Sequence, residues 1–182
     1  MRYLTLANQL TILRMLLIPV FVLLVVYDHL GAAFATFLVA GVTDALDGLA
    51  ARWAGERTAI GAWLDPAADK LLVVTTFIML TLPTVPLTNH VPLWLTILVI
   101  SRDVVIVAVV AIVNLAIGPR TFRPSIWGKA ATATYILMIV VVMYFNWRRE
   151  QSVVIDALVA LALSLTLISA GEYFWRVRKL VN

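Results

Sequence analysis

The chain has no cysteine, which excludes a disulfide framework, a thiolate metal site and a cysteine nucleophile. Charge is scarce too, at 13% of residues, and only two histidines are present. Any metal ion must therefore be held by oxygen atoms or by those two imidazoles. A typical soluble domain carries about twice that share of charged residues. Apolar residues fill the gap: 63% of the 182 residues are hydrophobic, and the mean hydropathy is +0.99. Such a chain is expected to be an integral membrane protein. Its net charge of +4 is not a nucleic-acid signal, because most Lys and Arg stand at the ends of apolar runs, where membrane topology puts them.

Six apolar runs recur, at Ile12–Tyr27, Ala32–Ala51, Trp63–Leu82, Val91–Ile117, Ile126–Trp147 and Val153–Trp175. Each approaches or exceeds the roughly 20 residues a spanning helix needs. Pro83, Pro86 and Pro92 bracket the loop after the third run, and Gly118-Pro119 closes the fourth. The first run holds Asn8, Thr11 and Arg14 in its lead-in and lacks a small-residue exit, so it reads as a retained helix rather than a cleaved signal. The expected fold is all-α: a single membrane domain over residues 1–182, with six transmembrane helices preceded by a short N-terminal interfacial segment. Arg2, Arg52, Arg57, Arg120, Arg123, Lys129, Arg176, Arg178 and Lys179 fall on one set of run ends, against Arg148 and Arg149 on the other. The positive-inside rule then puts both termini and the 52–62 hinge on the cytoplasmic side. Trp53, Trp63, Trp127 and Trp175 read as that side's aromatic belt, with Trp94 and Trp147 opposite.

Against this background four aspartates stand out: Asp44, Asp47, Asp65 and Asp69, two on each side of the hinge. A carboxylate at membrane depth costs about 2.5–3.5 kcal/mol on insertion scales, so a cluster of four marks a site for something cationic. Helical spacing puts Asp44, Asp47, Gly48 and Ala51 on one stripe of the second helix, and Gly61, Asp65 and Asp69 on one stripe of the third. A short hinge makes those helices antiparallel neighbours and brings the carboxylates together. They repel one another unless cations lie between them. Oxygen-only ligation suits two hard ions, Mg²⁺ or Mn²⁺. The small residues Gly48, Ala51 and Gly61 permit either close helix packing or a ligand lying flat on the backbone. Arg52 adds a planar donor fork suited to phosphate. Metals and an arginine around a backbone-lined slot describe a pyrophosphate site.

The run Asp44-Ala45-Leu46-Asp47-Gly48-Leu49-Ala50-Ala51-Arg52, then Gly61, Asp65 and Asp69 at their offsets, resembles the complete signature of the CDP-alcohol phosphotransferases. Asn8-Gln9-Leu10-Thr11-Ile12-Leu13-Arg14 is similar to the lead-in of phosphatidylglycerophosphate synthases and related cardiolipin synthases. The resemblance implies a CDP-diacylglycerol donor, an acceptor alcohol whose hydroxyl attacks the lipid-side phosphorus, and release of CMP in anionic phospholipid synthesis. It implies that Asp44, Asp47, Asp65 and Asp69 hold two metal ions, that Asp69 is also the general base, and that Gly48, Ala51, Arg52 and Gly61 seat the cytidine diphosphate. It further implies a homodimer in the bilayer, with the active site facing the cytoplasm from a bacterial inner membrane. Asn8, Thr11 and Arg14 either close over the donor site or serve the start of the helix.

The acceptor is left open. Glycerol-phosphate-using members show Gly-Arg-Glu where this chain has Ser101-Arg102-Asp103, and Gly-Lys-x-Lys-Thr where it has Gly128-Lys129-Ala130-Ala131-Thr132. The Ser-Arg-Asp form and Arg123-Pro124 look more like cardiolipin synthases, which use phosphatidylglycerol, whereas chain length favours glycerol 3-phosphate. Arg102, Arg120, Arg123 and Lys129 are candidates for an acceptor phosphate. For Arg102 the competing reading is a structural ion pair, and for the other three positive-inside anchoring. Inositol phosphate or serine are further acceptors. Asp28, His29 and His90 read as solvated, and Asp156 and Glu172 as cap or interface residues. A reading of another class is a small cation transporter whose aspartates bind the permeating ion, which gives Gly48, Ala51, Arg52 and Gly61 no reason to recur at those offsets.

Overall fold

The computed structural model describes residues 6–54, 59–117 and 125–181; within those helices the side chains at 6–8, 44–54, 59–67, 110, 113, 114, 116, 117 and 176–181 lie outside the described set. Every regular element among the described residues is an α-helix: α1 Leu6–Val26, α2 Leu30–Ala54, α3 Ala59–Thr81, α4 Leu93–Ile117, α5 Ile126–Arg148 and α6 Val153–Val181. A helix forms at each of the six apolar runs. The shortest, α1 at 21 residues, is about 30 Å long, the thickness of a bilayer core. By length and composition, Gln9–Val26, Ile126–Arg148 and Val153–Trp175 are apolar enough to cross a membrane. The short N-terminal interfacial segment was expected largely in residues outside the described set.

The expected 52–62 hinge is narrower than its composition implied. Residues 52–54 continue α2 and 59–62 already belong to α3; Arg52, Ala54, Ala59 and Ala62 are strong helix formers, and Gly61 is carried within the helix despite its poor propensity.

Hydroxyls within these helices bond back to their own backbone. Thr76 donates to the Leu72 carbonyl, Thr81 to Phe77, Ser101 to Ile97, Thr134 to Ala130 and Ser164 to Ala160. This local bond lets a polar side chain sit in an apolar helix without a distant partner. Large apolar side chains also face outward, among them Leu115 at 87% and Phe174 at 74% exposure. That is the surface expected of a chain whose solvent is lipid.

The chain divides into two compact units, the first covering residues 1–90 and 142–151, the second residues 91–141 and 152–182. In the first, α1 packs against both α2 and α3. Phe21, Val25, Ala33, Phe37, Ala40, Phe77 and Leu80 are buried there, with the Phe21 and Phe37 rings 6.3 Å apart. Near the start of α2, Phe34 packs against Tyr144 and Trp147 at ring distances of 6.3 and 6.2 Å. A Cβ added at Gly31 would meet the Trp147 ring at 2.8 Å, so any larger residue requires the indole to shift.

The loops of this unit are tied by polar contacts. Asn146, buried to 1% exposure, accepts from the Asn89 backbone N–H at 2.7 Å and donates to the Asn89 carbonyl at 3.0 Å. The Asn89 amide donates in turn to the Glu150 carbonyl. Helices α1 and α5 end in the same way. Beyond α1, Asp28 adopts φ 64°, with His29 N–H bonded to Leu24 O and Asp28 N–H to Val25 O. Beyond α5, Arg149 adopts φ 58°, with Glu150 N–H bonded to Phe145 O and Arg149 N–H to Asn146 O. Both are left-handed C-caps, normally a glycine's place. Here the two cap residues are ion-paired with each other, and Arg149 also donates to the Pro86 carbonyl.

In the second unit α4 packs against α6, over buried Leu95, Val99, Met138, Ile139, Ile155, Leu158 and Ala162. Ser125 caps α5, its hydroxyl accepting from Gly128 N–H at 2.9 Å. Ser152 caps α6 in the same manner through Val154 N–H. Asp156 falls in the first turn of α6, where a carboxylate complements the helix dipole.

Candidate active site

Helix register fixes where the four aspartates fall along the backbone. Asp44 lies about ten residues before the end of α2 and Asp69 about ten residues after the start of α3, each ~15 Å along its helix. Asp47 and Asp65 lie closer to those ends, at roughly 10 Å. Residues 55–58 connect the helices, so all four carboxylate positions belong to the same end of the pair. Arg14 comes about eight residues into α1, a comparable ~12 Å from its N-terminus.

Among the described residues, a side-chain contact joins α1 to α3. Arg14 donates through Nη1 to Oδ1 of Asp69, forming an ion pair across 55 residues of sequence. The two partners differ in exposure, the Arg14 side chain being 1% exposed and that of Asp69 43%. The arginine is thus sealed in the helix packing while its carboxylate partner stays accessible. Thr11, one turn before Arg14, is also fully buried. Ala68 beside Asp69 is buried, and Lys70 is exposed.

This resolves one choice that sequence left open. Thr11 and Arg14 do not serve the helix start, since α1 begins at Leu6. They lie inside the packed part of the helix, and Arg14 reaches the last aspartate of the signature. The side chains of Asp44, Asp47, Gly48, Ala51, Arg52, Gly61 and Asp65 lie outside the described residues, as does that of Asn8. No cluster of three metal-ligating side chains is found among the described residues. The donor chemistry still fits hard divalent ions, since the signature offers four carboxylates and the chain no thiol.

The candidate acceptor residues are distributed unevenly. Arg120 and Arg123 lie outside the described residues, and Lys129 is exposed on the first turn of α5. Arg102 belongs to the second unit, with its side chain 7% exposed. Its Nη2 donates to the Ser169 hydroxyl at 2.9 Å and to the Gly128 carbonyl at 3.4 Å, while Nη1 lies 3.4 Å from Asp103. The guanidinium also covers the Tyr135 ring at 5.8 Å, in cation–π range. Tyr135 in turn shares a hydrogen bond with Thr166. The expected structural ion pair therefore exists, made with the adjacent Asp103, and hydroxyl and carbonyl contacts supplement it. Asp28, expected to be solvated, is half-exposed but paired with Arg149. His29 and His90 are exposed. The sequence does not single out Ser169 or Tyr135, because a lone Ser or Tyr in an apolar helix carries no spacing signal.

Comparison with known proteins bears on the same residues. A family model described as CDP-alcohol phosphatidyltransferase matches residues 4–168. Human cardiolipin synthase (CMP-forming) is 32% identical over 98% of this chain, which spans 63% of that protein's length. A probable phosphatidylglycerophosphate synthase of Mycobacterium tuberculosis is 32% identical over 96% of this chain and 82% of its own. A CDP-diacylglycerol–glycerol-3-phosphate 3-phosphatidyltransferase of Haemophilus influenzae is 34% identical over 90% of this chain and 88% of its own.

Proposed function

Because the chain belongs to the CDP-alcohol phosphatidyltransferase family, we propose that it is a membrane enzyme transferring the phosphatidyl group of CDP-diacylglycerol to a glycerol-type acceptor. Its place is then in anionic phospholipid synthesis. The observation that carries this reading is the position of the signature aspartates at one common end of α2 and α3, with α1 packed on both helices and its Arg14 bound to Asp69.

In this reading Asp44, Asp47, Asp65 and Asp69 would hold two divalent ions, Mg²⁺ or Mn²⁺. When bound, such ions neutralise pyrophosphate charge and stabilise the leaving oxygen. Gly48, Ala51 and Gly61 leave backbone open to the cytidine diphosphate, and Arg52 supplies a fork for its phosphate. Asp69 takes the proton of the acceptor hydroxyl as that oxygen bonds to the lipid-side phosphorus and the bond from phosphorus to the CMP oxygen breaks. Arg102, Arg120, Arg123 and Lys129 are the cations proposed to recognise an acceptor phosphate, which both glycerol 3-phosphate and phosphatidylglycerol carry. The proposed setting is a bacterial cytoplasmic membrane with the aspartates toward the cytoplasm, in a homodimer.

A cation transporter is disfavoured by Arg14. A fixed, buried guanidinium against Asp69 repels any cation moving along the carboxylates.

The test is CMP release by the purified chain in detergent with CDP-diacylglycerol and Mg²⁺, offering glycerol 3-phosphate and phosphatidylglycerol separately. Release with one acceptor alone assigns it. EDTA is expected to stop release and added Mg²⁺ or Mn²⁺ to restore it. No release with either acceptor refutes the glycerol-type reading, and EDTA-resistant release refutes the metal assignment.

A further inference from the structure

Resting on that reading, we infer that Arg14 of α1 is a positioning residue for Asp69, fixing the carboxylate that is to accept the acceptor's proton. An arginine in an apolar helix is costly and persists where a partner or function compensates it. Arg14 is fully buried and is ion-paired with Asp69. Removing one member of such a pair strands the other, so the two side chains are held as a unit. The pair joins two helices, since Arg14 rides on α1, which packs on α2 and α3, while Asp69 stands on α3.

The contact is one-sided in a way that suits catalysis. The guanidinium holds Oδ1 from within the packing, while the Asp69 side chain as a whole is 43% exposed. An ion pair serving stability alone gains nothing from leaving its carboxylate open. A base that must meet a substrate hydroxyl needs that opening and a fixed angle of approach. The rigid, planar fork of arginine supplies the angle, which the ammonium of lysine, a point charge on a flexible stem, would supply less well.

The test is a double-mutant cycle in kcat with Arg14→Gln, Asp69→Asn and the combined variant, together with Arg14→Lys. KM and Kd for CDP-diacylglycerol and the thermal transition are measured on each purified protein. Arg14→Gln is expected to lower kcat about 100-fold, the scale of loss when a reacting group is misplaced by about 1 Å. The donor KM and Kd should stay within about twofold, and Arg14→Lys should recover roughly tenfold of the loss. The combined variant should be no slower than Asp69→Asn alone, because an arginine acting through Asp69 has nothing left to position. Additive losses in the cycle, or an unchanged kcat in Arg14→Gln, would overturn the inference while the transferase reading stands. A wild-type protein that releases no CMP overturns that reading and this inference with it. Should Arg14→Gln fail to fold, the comparison of Arg14→Lys with Arg14→Lys/Asp69→Asn decides by the same criterion.

Discussion

Replacing Asn146 with alanine removes the only side chain that, among the described contacts, satisfies both backbone groups of Asn89. The amide is buried and its two bonds are short, 2.7 and 3.0 Å. Each bond contributes about 0.5–1.5 kcal/mol net, and stranding a buried backbone group costs about 1–3 kcal/mol. Asn89 is half-buried, so water recovers part of that penalty, and a total of roughly 2–4 kcal/mol remains. For a chain of this size that lowers Tm by roughly 5–15 °C. The assay is thermal unfolding of the purified protein in detergent, paired with CMP release at a temperature well below the transition. Activity there should be unchanged, because Asn89 follows the end of α3 opposite to Asp65 and Asp69. Asn146→Asp sharpens the prediction. It keeps an acceptor for the Asn89 N–H but sets a carboxylate oxygen against the Asn89 carbonyl, so its Tm should fall below that of Asn146→Ala. A Tm for Asn146→Ala within about 2 °C of wild type, or Asn146→Asp the more stable variant, would refute the reasoning.

Two further substitutions probe other parts of the fold. Gly31→Ala places a Cβ 2.8 Å from Trp147 Nε1 and 2.9 Å from Cδ1; the indole must shift, at about 1–3 kcal/mol, against a helix-propensity gain of up to about 1 kcal/mol. A lowered Tm with altered tryptophan emission is expected, and a raised Tm would contradict the close approach. Arg102→Gln should raise the KM of a phosphate-bearing acceptor about tenfold or more and leave the donor KM unchanged. Unchanged KM for both substrates would assign Arg102 to packing with Ser169 and Tyr135 alone.

Helix positions were legible because the apolar runs are long and punctuated by proline and glycine, so α4, α5 and α6 begin within two residues of their predicted starts. The aspartate signature was legible because its spacing is local to two helices. Contacts between distant segments were not. Arg14 and Asp69 are separated by 55 residues, Asn89 and Asn146 by 57, and Asp28 and Arg149 by 121. No periodicity links such positions: alone, Arg149 reads as a topology charge, Asp28 as a solvated residue and Arg14 as a donor-site or helix-start residue, while Asn89 and Asn146 carry no signal. The sequence widens the hinge because the charges of Arg52, Glu56 and Arg57 make their neighbours 52–54 and 59–62 resemble a polar loop, whereas those neighbours are helical.

The ion-paired caps of α1 and α5 also set an order on biosynthesis. Asp28 leaves the ribosome about 120 residues before its partner Arg149, and the Asn89 backbone waits almost 60 residues for Asn146. A nascent chain that has inserted α1, α2 and α3 therefore carries the whole aspartate signature yet lacks the segment that completes its first unit. The left-handed turn at Asp28 must form, or be held, without the cation that later engages it. Closure is thus a late event, and these contacts should govern how fast the finished protein comes apart more than how fast it is made.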